Sequence, residues 1–158
     1  MEFSSFTPDR RAAMAPCAFV SGLRAGLVIL LLMAWVATAS AQDAMPRSAG
    51  LAPGDPMRGR ALVADRQQGL CLLCHTAPLP EVRQQGSLAP SLEGTGSRWS
   101  EDQLRMRVFD SRRINPESLM PAYGVADTGL RVGATWRGKP IFSEQQIEDV
   151  VAWLVTLK

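Results

Sequence analysis

Cys71-Leu72-Leu73-Cys74-His75 is the stretch whose residue types and spacing carry a complete piece of chemistry. Two thiols three positions apart on one turn can each form a thioether to the vinyl groups along one edge of a porphyrin. The histidine that follows then lies beneath the iron. The run therefore reads as an attachment site for a c-type haem, with Cys71 and Cys74 as the thioether residues and His75 as the proximal iron ligand. Two other chemistries use C-x-x-C. A zinc site fails on inventory, because His75 is the only histidine and the third cysteine, Cys17, lies in an N-terminal leader. A thioredoxin-like redox pair is disfavoured by the adjoining histidine and by the lack of a βαβ pattern.

A haem iron needs a distal partner, and without a second histidine the soft donors left are thioethers. Beyond the leader these are Met45, Met57, Met106 and Met120. Met45 falls in a loose polar segment, and Met57 and Met106 fall on helical patterns beside apolar neighbours. Met120 precedes Pro121, which holds it extended and lets its side chain project from a stiff loop. It is the candidate distal ligand, against the alternative of a buried hydrophobe. His/Met ligation raises the reduction potential and closes the iron to outside ligands, as electron transfer requires. Within Leu88–Gly94 the Pro90 carbonyl is the candidate acceptor for the His75 Nδ1–H, which would fix the ring and raise its basicity. The alternative is an ordinary proline turn.

The elements that must hold these residues are few. Asp55-Pro56 is a helix start, with Asp55 as cap and Pro56 at the first helical position. An amphipathic helix follows over Met57–Arg66, with Gly59 inside it either for close approach of another helix or as a harmless surface position. After His75 come Pro78, Pro80, Gly86, Pro90, Gly94 and Gly96, a long irregular stretch that suits wrapping around a flat group. Ser100-Glu101-Asp102-Gln103 is a capping box opening a helix to about Ser111, with Trp99 placed to staple onto Leu104 and Arg112-Arg113 closing it. Gly129–Pro140 reads as a short strand or hairpin. Ser143-Glu144-Gln145-Gln146 opens the last helix, whose stripe of Ile147, Val150, Val151, Leu154 and Val155 should cross the first helix near Trp153.

Ahead of this domain, Arg24 precedes the apolar run Ala25–Ala37, and Ala39-Ser40-Ala41 forms a small-x-small cleavage pattern. Residues 1–41 read as a signal peptide cut before Gln42 and directing export to the periplasm, the alternative being a retained anchor. Its unusual length points to a translation start at Met14. Residues 42–54 read as a flexible N-terminal segment and 55–158 as the folded domain. Of the 158 residues, 46% are hydrophobic and 20% charged, an ordinary globular balance, and the net charge of +2 leaves no nucleic-acid footprint. With Cys71 and Cys74 committed to haem, no structural disulfide remains beyond the leader. The expected fold is all-α: a few helices and long loops around one covalently bound haem c.

Helices around C-x-x-C-H, the element Pro90-x-Leu92-x-Gly94 and a downstream Met-Pro resemble class I cytochromes c. More narrowly, Arg98–Arg105, Met120-Pro121-Ala122-Tyr123 and Gln145–Lys158 resemble the SoxX family, the monohaem c-type subunits of SoxAX cytochromes. The resemblance spans nearly all of residues 54–158. It implies His75/Met120 ligation, a heterodimer with a SoxA-type cytochrome, and a role in an L-cysteine S-thiosulfotransferase that oxidatively couples thiosulfate to a cysteine of the SoxYZ carrier. The reactive cysteine would belong to SoxA, and this chain would pass electrons to a downstream acceptor. Ala89 stands where such cytochromes often have glycine. Two further readings are a free-standing periplasmic electron shuttle and a haem sensor or peroxidase with an open iron. Arg98, Trp99 and Tyr123 are candidate propionate partners.

Overall fold

Asp55 starts the first helix of the computed structural model, which describes residues 43–126, 132–134 and 136–158. The Asp55 carboxylate accepts from the N–H groups of Met57 and Arg58, and Pro56 occupies the first turn, where its missing N–H costs nothing. Helix α1 spans Pro56–Ala64 and stops two residues short of the expected Arg66. Asp65 ends it: the N–H still bonds Ala61 O, while the carboxylate folds over the N–H groups of Gln67 and Gln68. Helix α2, Thr95–Arg98, is a single turn within the stretch whose prolines and glycines suggest irregular chain. Helix α3 is Glu101–Asp110, continued by a 3-10 turn over Ser111–Arg113, and α4 is Glu144–Thr156. Both long helices carry the expected capping boxes, Ser100 with Gln103 and Ser143 with Gln146.

The core forms where α4 crosses α1 and α3. Ile147, Val150, Val151 and Leu154 are buried, Val155 is half-buried, and Trp153 is buried beside them. Each such side chain contributes roughly 1.5–3 kcal/mol relative to exposure. Gly59 sits at the α1/α4 crossing, where an added Cβ would run into the carbonyl of Asp149 and the nitrogen of Val150. Its use is therefore close approach. Leu104, Met106 and Val108 bury the inner face of α3, so Met106 is core. Within the same interface, Arg105 Nε and Nη2 donate to the two carboxylate oxygens of Glu148 at 2.6 and 3.0 Å. Both side chains are buried, and the bidentate geometry satisfies the pair. Trp99 is exposed and carries the Arg107 guanidinium over its ring at 3.6 Å, a cation–π stack where a staple to Leu104 was expected.

Two stretches differ in detail from what composition suggests. The segment ahead of α1 is hydrogen-bonded to α3: Met45 N–H bonds Asp102 O, Arg105 donates to Met45 O, and Gln103 and Arg107 donate to the Asp43 carboxylate. Its polar backbone is tied to α3 through side chains that a reading of loop composition does not reveal. The strand or hairpin expected within 129–140 is also not seen among the described residues. Residues 132–134 and 136–140 form successive turns, closed by Trp136 N–H to Gly133 O and Lys139 N–H to Trp136 O. The remaining positions of that stretch, the leader, its cleavage site and the start at Met14 lie outside the described residues. No described helix is long and apolar enough to cross a membrane.

Candidate haem-attachment site

Cys71, Leu72 and Leu73 form one 3-10 turn, with Cys74 N–H bonding Cys71 O at 3.2 Å and His75 N–H bonding the same carbonyl at 3.0 Å. This winding brings Cys71, Cys74 and His75 onto a single turn. Leu72 is buried and anchors the turn, leaving Leu73 exposed. The residue before it, Leu70, adopts a left-handed conformation at φ 56°, the only non-glycine with positive φ among the described residues. For a leucine that conformation costs on the order of 1–2 kcal/mol, which the surrounding contacts must offset. Both thiols are free and half-buried. Burial pushes the Cys71 thiol up, only partly offset by its hydrogen bond with Tyr123, so Cys71 is not an activated thiolate. Among the described residues there is also no cluster of His, Cys, Asp and Glu fit for a metal ion.

His75 Nδ1 lies 2.6 Å from Pro90 O, the partner the sequence suggested. A carbonyl only accepts, so Nδ1 carries the proton and Nε2 keeps its lone pair for a metal. Ala89 does not prevent this contact. The loop bearing Pro90 is sewn to the attachment turn by backbone bonds: Gly86 N–H to Leu72 O, Ala89 N–H to Cys74 O and Leu92 N–H to Thr76 O, at 2.8, 2.9 and 2.8 Å. Gln85 braces its middle, accepting from Ala77 N–H and donating to Leu79 O and Val82 O. Arg98 reaches back from α2 to donate to Glu93 O and Ser91 O, just after Pro90. Arg98 therefore braces the loop, Trp99 lies under Arg107, and Tyr123 donates to Gly69 O, so each candidate propionate partner is already engaged within the chain.

Met120 sits on a different loop, half-buried against the same core that Cys71 packs on. Its N–H donates to Ser118 Oγ and its carbonyl accepts from Ser111 Oγ, and the two serine hydroxyls bond each other at 2.8 Å. Three residues on, the buried Tyr123 hydroxyl donates to Gly69 O at 2.5 Å and lies 3.9 Å from Cys71 Sγ. The loop and the turn are thus joined. A cavity of about 320 Å³ opens between them, walled by Gln67, Gln68 and Leu70 on the turn's side and by Pro121, Ala122 and Val125 beyond Met120. Val132, Trp136 and Ile141 complete an apolar face, and Arg112 and Lys139 are its cations. Its wall is built from the neighbours of the four candidates and not from Cys71, Cys74, His75 and Met120 themselves. The two free thiols and a His75 ring whose Nδ1 is committed to Pro90 O are the donor set that a covalently attached haem uses. The Tyr123 and Gln85 links were missed by sequence reasoning, although a single tyrosine in the whole chain was a signal that its place mattered.

The chain belongs to the cytochrome c family, whose model matches residues 56–158. The fold is the all-α cytochrome c fold, and the cofactor is covalently bound haem c, with Cys71 and Cys74 as candidate attachment thiols. Among solved structures the chain is similar to one in the crystal structure of SoxXA from P. pantotrophus, at 40% identity and a TM-score of 0.68, over 75% of this chain and 92% of that one. No curated protein matches it.

Proposed function

We propose that the chain is the SoxX-type electron-transfer subunit of a periplasmic SoxAX cytochrome, with Cys71 and Cys74 as the thioether residues, His75 as proximal ligand and Met120 as distal ligand. The His75–Pro90 hydrogen bond carries the site assignment: it presents Nε2 as the only ring nitrogen able to bind iron. Bound haem supplies a one-electron ferric/ferrous couple. The chain's own residues do the rest. Pro90 orients the imidazole and makes it more basic, Ser111 and Ser118 hold the Met120 backbone, and the core on which Cys71 and Met120 both pack keeps water from that side. Water exclusion and thioether ligation both favour the reduced state and keep reorganisation small.

The 40% identity to a chain of SoxXA supports a heterodimer with a SoxA-type cytochrome. In that complex thiosulfate would be joined oxidatively to a cysteine of the SoxYZ carrier, each coupling releasing two electrons and the thiol proton, and this chain would serve as an electron-accepting subunit. Both cysteines outside the leader lie in the attachment turn, so the reactive thiol belongs to the partner. The leader, cleaved before Gln42, delivers the chain to the periplasm, where c-type haem is attached. Purification of the haem-loaded chain from its native host tests the reading. It should co-purify with a second cytochrome bearing a reactive cysteine, and alone it should not transfer thiosulfate. A chain that purifies alone and exchanges electrons directly with an oxidase would mean a free-standing shuttle instead.

A further inference from the structure

We infer that Tyr123 is a positioning residue: its hydroxyl clasps the Met120 loop to the attachment turn and so holds the thioether ligand against release. This deepens the ligation reading above and rests on it. The Met120 backbone has two supports. Upstream, Ser118 Oγ accepts from its N–H at 3.3 Å and Ser111 Oγ donates to its carbonyl at 3.2 Å, which ties Met120 to the end of α3. Downstream, Pro121 fixes the chain direction, and Tyr123 supplies the only side-chain link among the described residues from this loop to the turn.

Tyr123 itself is firmly seated. Its N–H bonds Val108 O at 3.3 Å, its carbonyl accepts from Phe142 N–H at 2.9 Å, and its ring stacks on Phe142 with centroids 4.8 Å apart. The hydroxyl is aimed at Gly69 O, two residues before Cys71. In the free thiol form Gly69 O has a second donor, the Cys71 S–H at 3.4 Å. A thioether sulfur has no proton, so attachment of haem at Cys71 removes that donor and leaves Tyr123 to satisfy the buried carbonyl. The clasp therefore matters most in the haem-loaded protein, where the distal ligand must stay in place.

Tyr123→Phe keeps the ring, its burial and its stack while deleting only the hydroxyl. In the haem-loaded protein, capture of carbon monoxide by the ferrous form requires Met120 to leave the iron. Removing the clasp should raise that rate about tenfold, the equivalent of about 1.4 kcal/mol, with haem attachment retained. A purely structural role is separated by Phe142→Leu, which weakens the same stack without touching the hydroxyl. It should lower the melting temperature and leave carbon monoxide capture unchanged; equal acceleration in both variants overturns the clasp. Because Tyr123 is the only tyrosine, biosynthetic ring fluorination strengthens that one donor without any mutation. It should slow capture below the wild-type rate, and no change there also overturns the clasp. A wild-type ferric protein lacking the near-infrared methionine–iron band, with rapid capture in its ferrous form, would instead overturn the His75/Met120 ligation itself.

Discussion

Gly59→Ala sets two physical effects against each other, and the structure says which wins. By helix propensity alone the change should stabilise α1 by about 1 kcal/mol. At the α1/α4 crossing, however, the new methyl would overlap the Asp149 carbonyl and the Val150 nitrogen, which belong to the backbone of the facing helix. Backbone cannot swing aside as a side chain can, so the helices must separate. Overpacking of this kind costs about 3 kcal/mol, leaving a net loss of about 2 kcal/mol. For a domain of this size that is a fall in melting temperature of roughly 8–16 °C. Val63 and Val150, packed beside the crossing, would lose contacts in the same event. The assay is thermal unfolding of haem-loaded wild-type and variant protein followed by circular dichroism. Gly133→Ala, where an added Cβ meets nothing within 4 Å, serves as the control and should shift the midpoint little. A Gly59→Ala protein as stable as wild type would refute the close-approach argument.

Breaking the buried pair with Glu148→Ala leaves Arg105 inside the α3/α4 interface with only the half-exposed Asp102 as counter-charge, and should cost about 3 kcal/mol by denaturant titration. The apolar double variant Arg105→Met/Glu148→Leu should recover much of that loss. Burial pushes the Asp149 carboxyl up, but the Arg58 guanidinium, the Asp55 N–H and the Gln145 amide outweigh it and hold its pKa below the usual carboxylate value. A depressed carboxylate pKa contributes stability that is fully present above the unfolded value near 4 and is lost as pH falls through the folded value. Acid unfolding should therefore move to higher pH in Asp149→Asn, as read by fluorescence across the acid range. Cys71→Ser and Cys74→Ser should each keep haem through one thioether with a shifted pyridine haemochrome band. The double variant should lose haem stain on a denaturing gel.

Local rules made much of this molecule legible before any coordinates. Ser100/Gln103 and Ser143/Gln146 satisfy helix N-termini from within four residues, so their signal is complete in the sequence. The attachment turn is equally local. Pro90 was reachable because a histidine ligand needs an orienting acceptor and prolines mark rigid loops. The rest depends on contacts between distant positions. Helix α2 is held by Thr95 Oγ1 to Leu154 O and Gly96 N–H to Leu157 O, bonds across some sixty residues that no local pattern encodes. The N-terminal segment reads as loose because its restraints, Arg105 to Met45 O and Gln103 to Asp43, come from α3 side chains some sixty residues away. Tyr123 was assigned outward to propionates because its inward partner is a backbone carbonyl, Gly69 O, which has no signature in the sequence.

Near-infrared magnetic circular dichroism of the ferric, haem-loaded protein tests the proposed electron port most directly. His75/Met120 ligation gives a low-spin spectrum with the thioether charge-transfer band, present in wild type and abolished in Met120→Ala, whose ferrous form then captures carbon monoxide rapidly. A high-spin spectrum in the wild type, or a band that survives Met120→Ala, would contradict the assignment and return the iron to an open or differently ligated site.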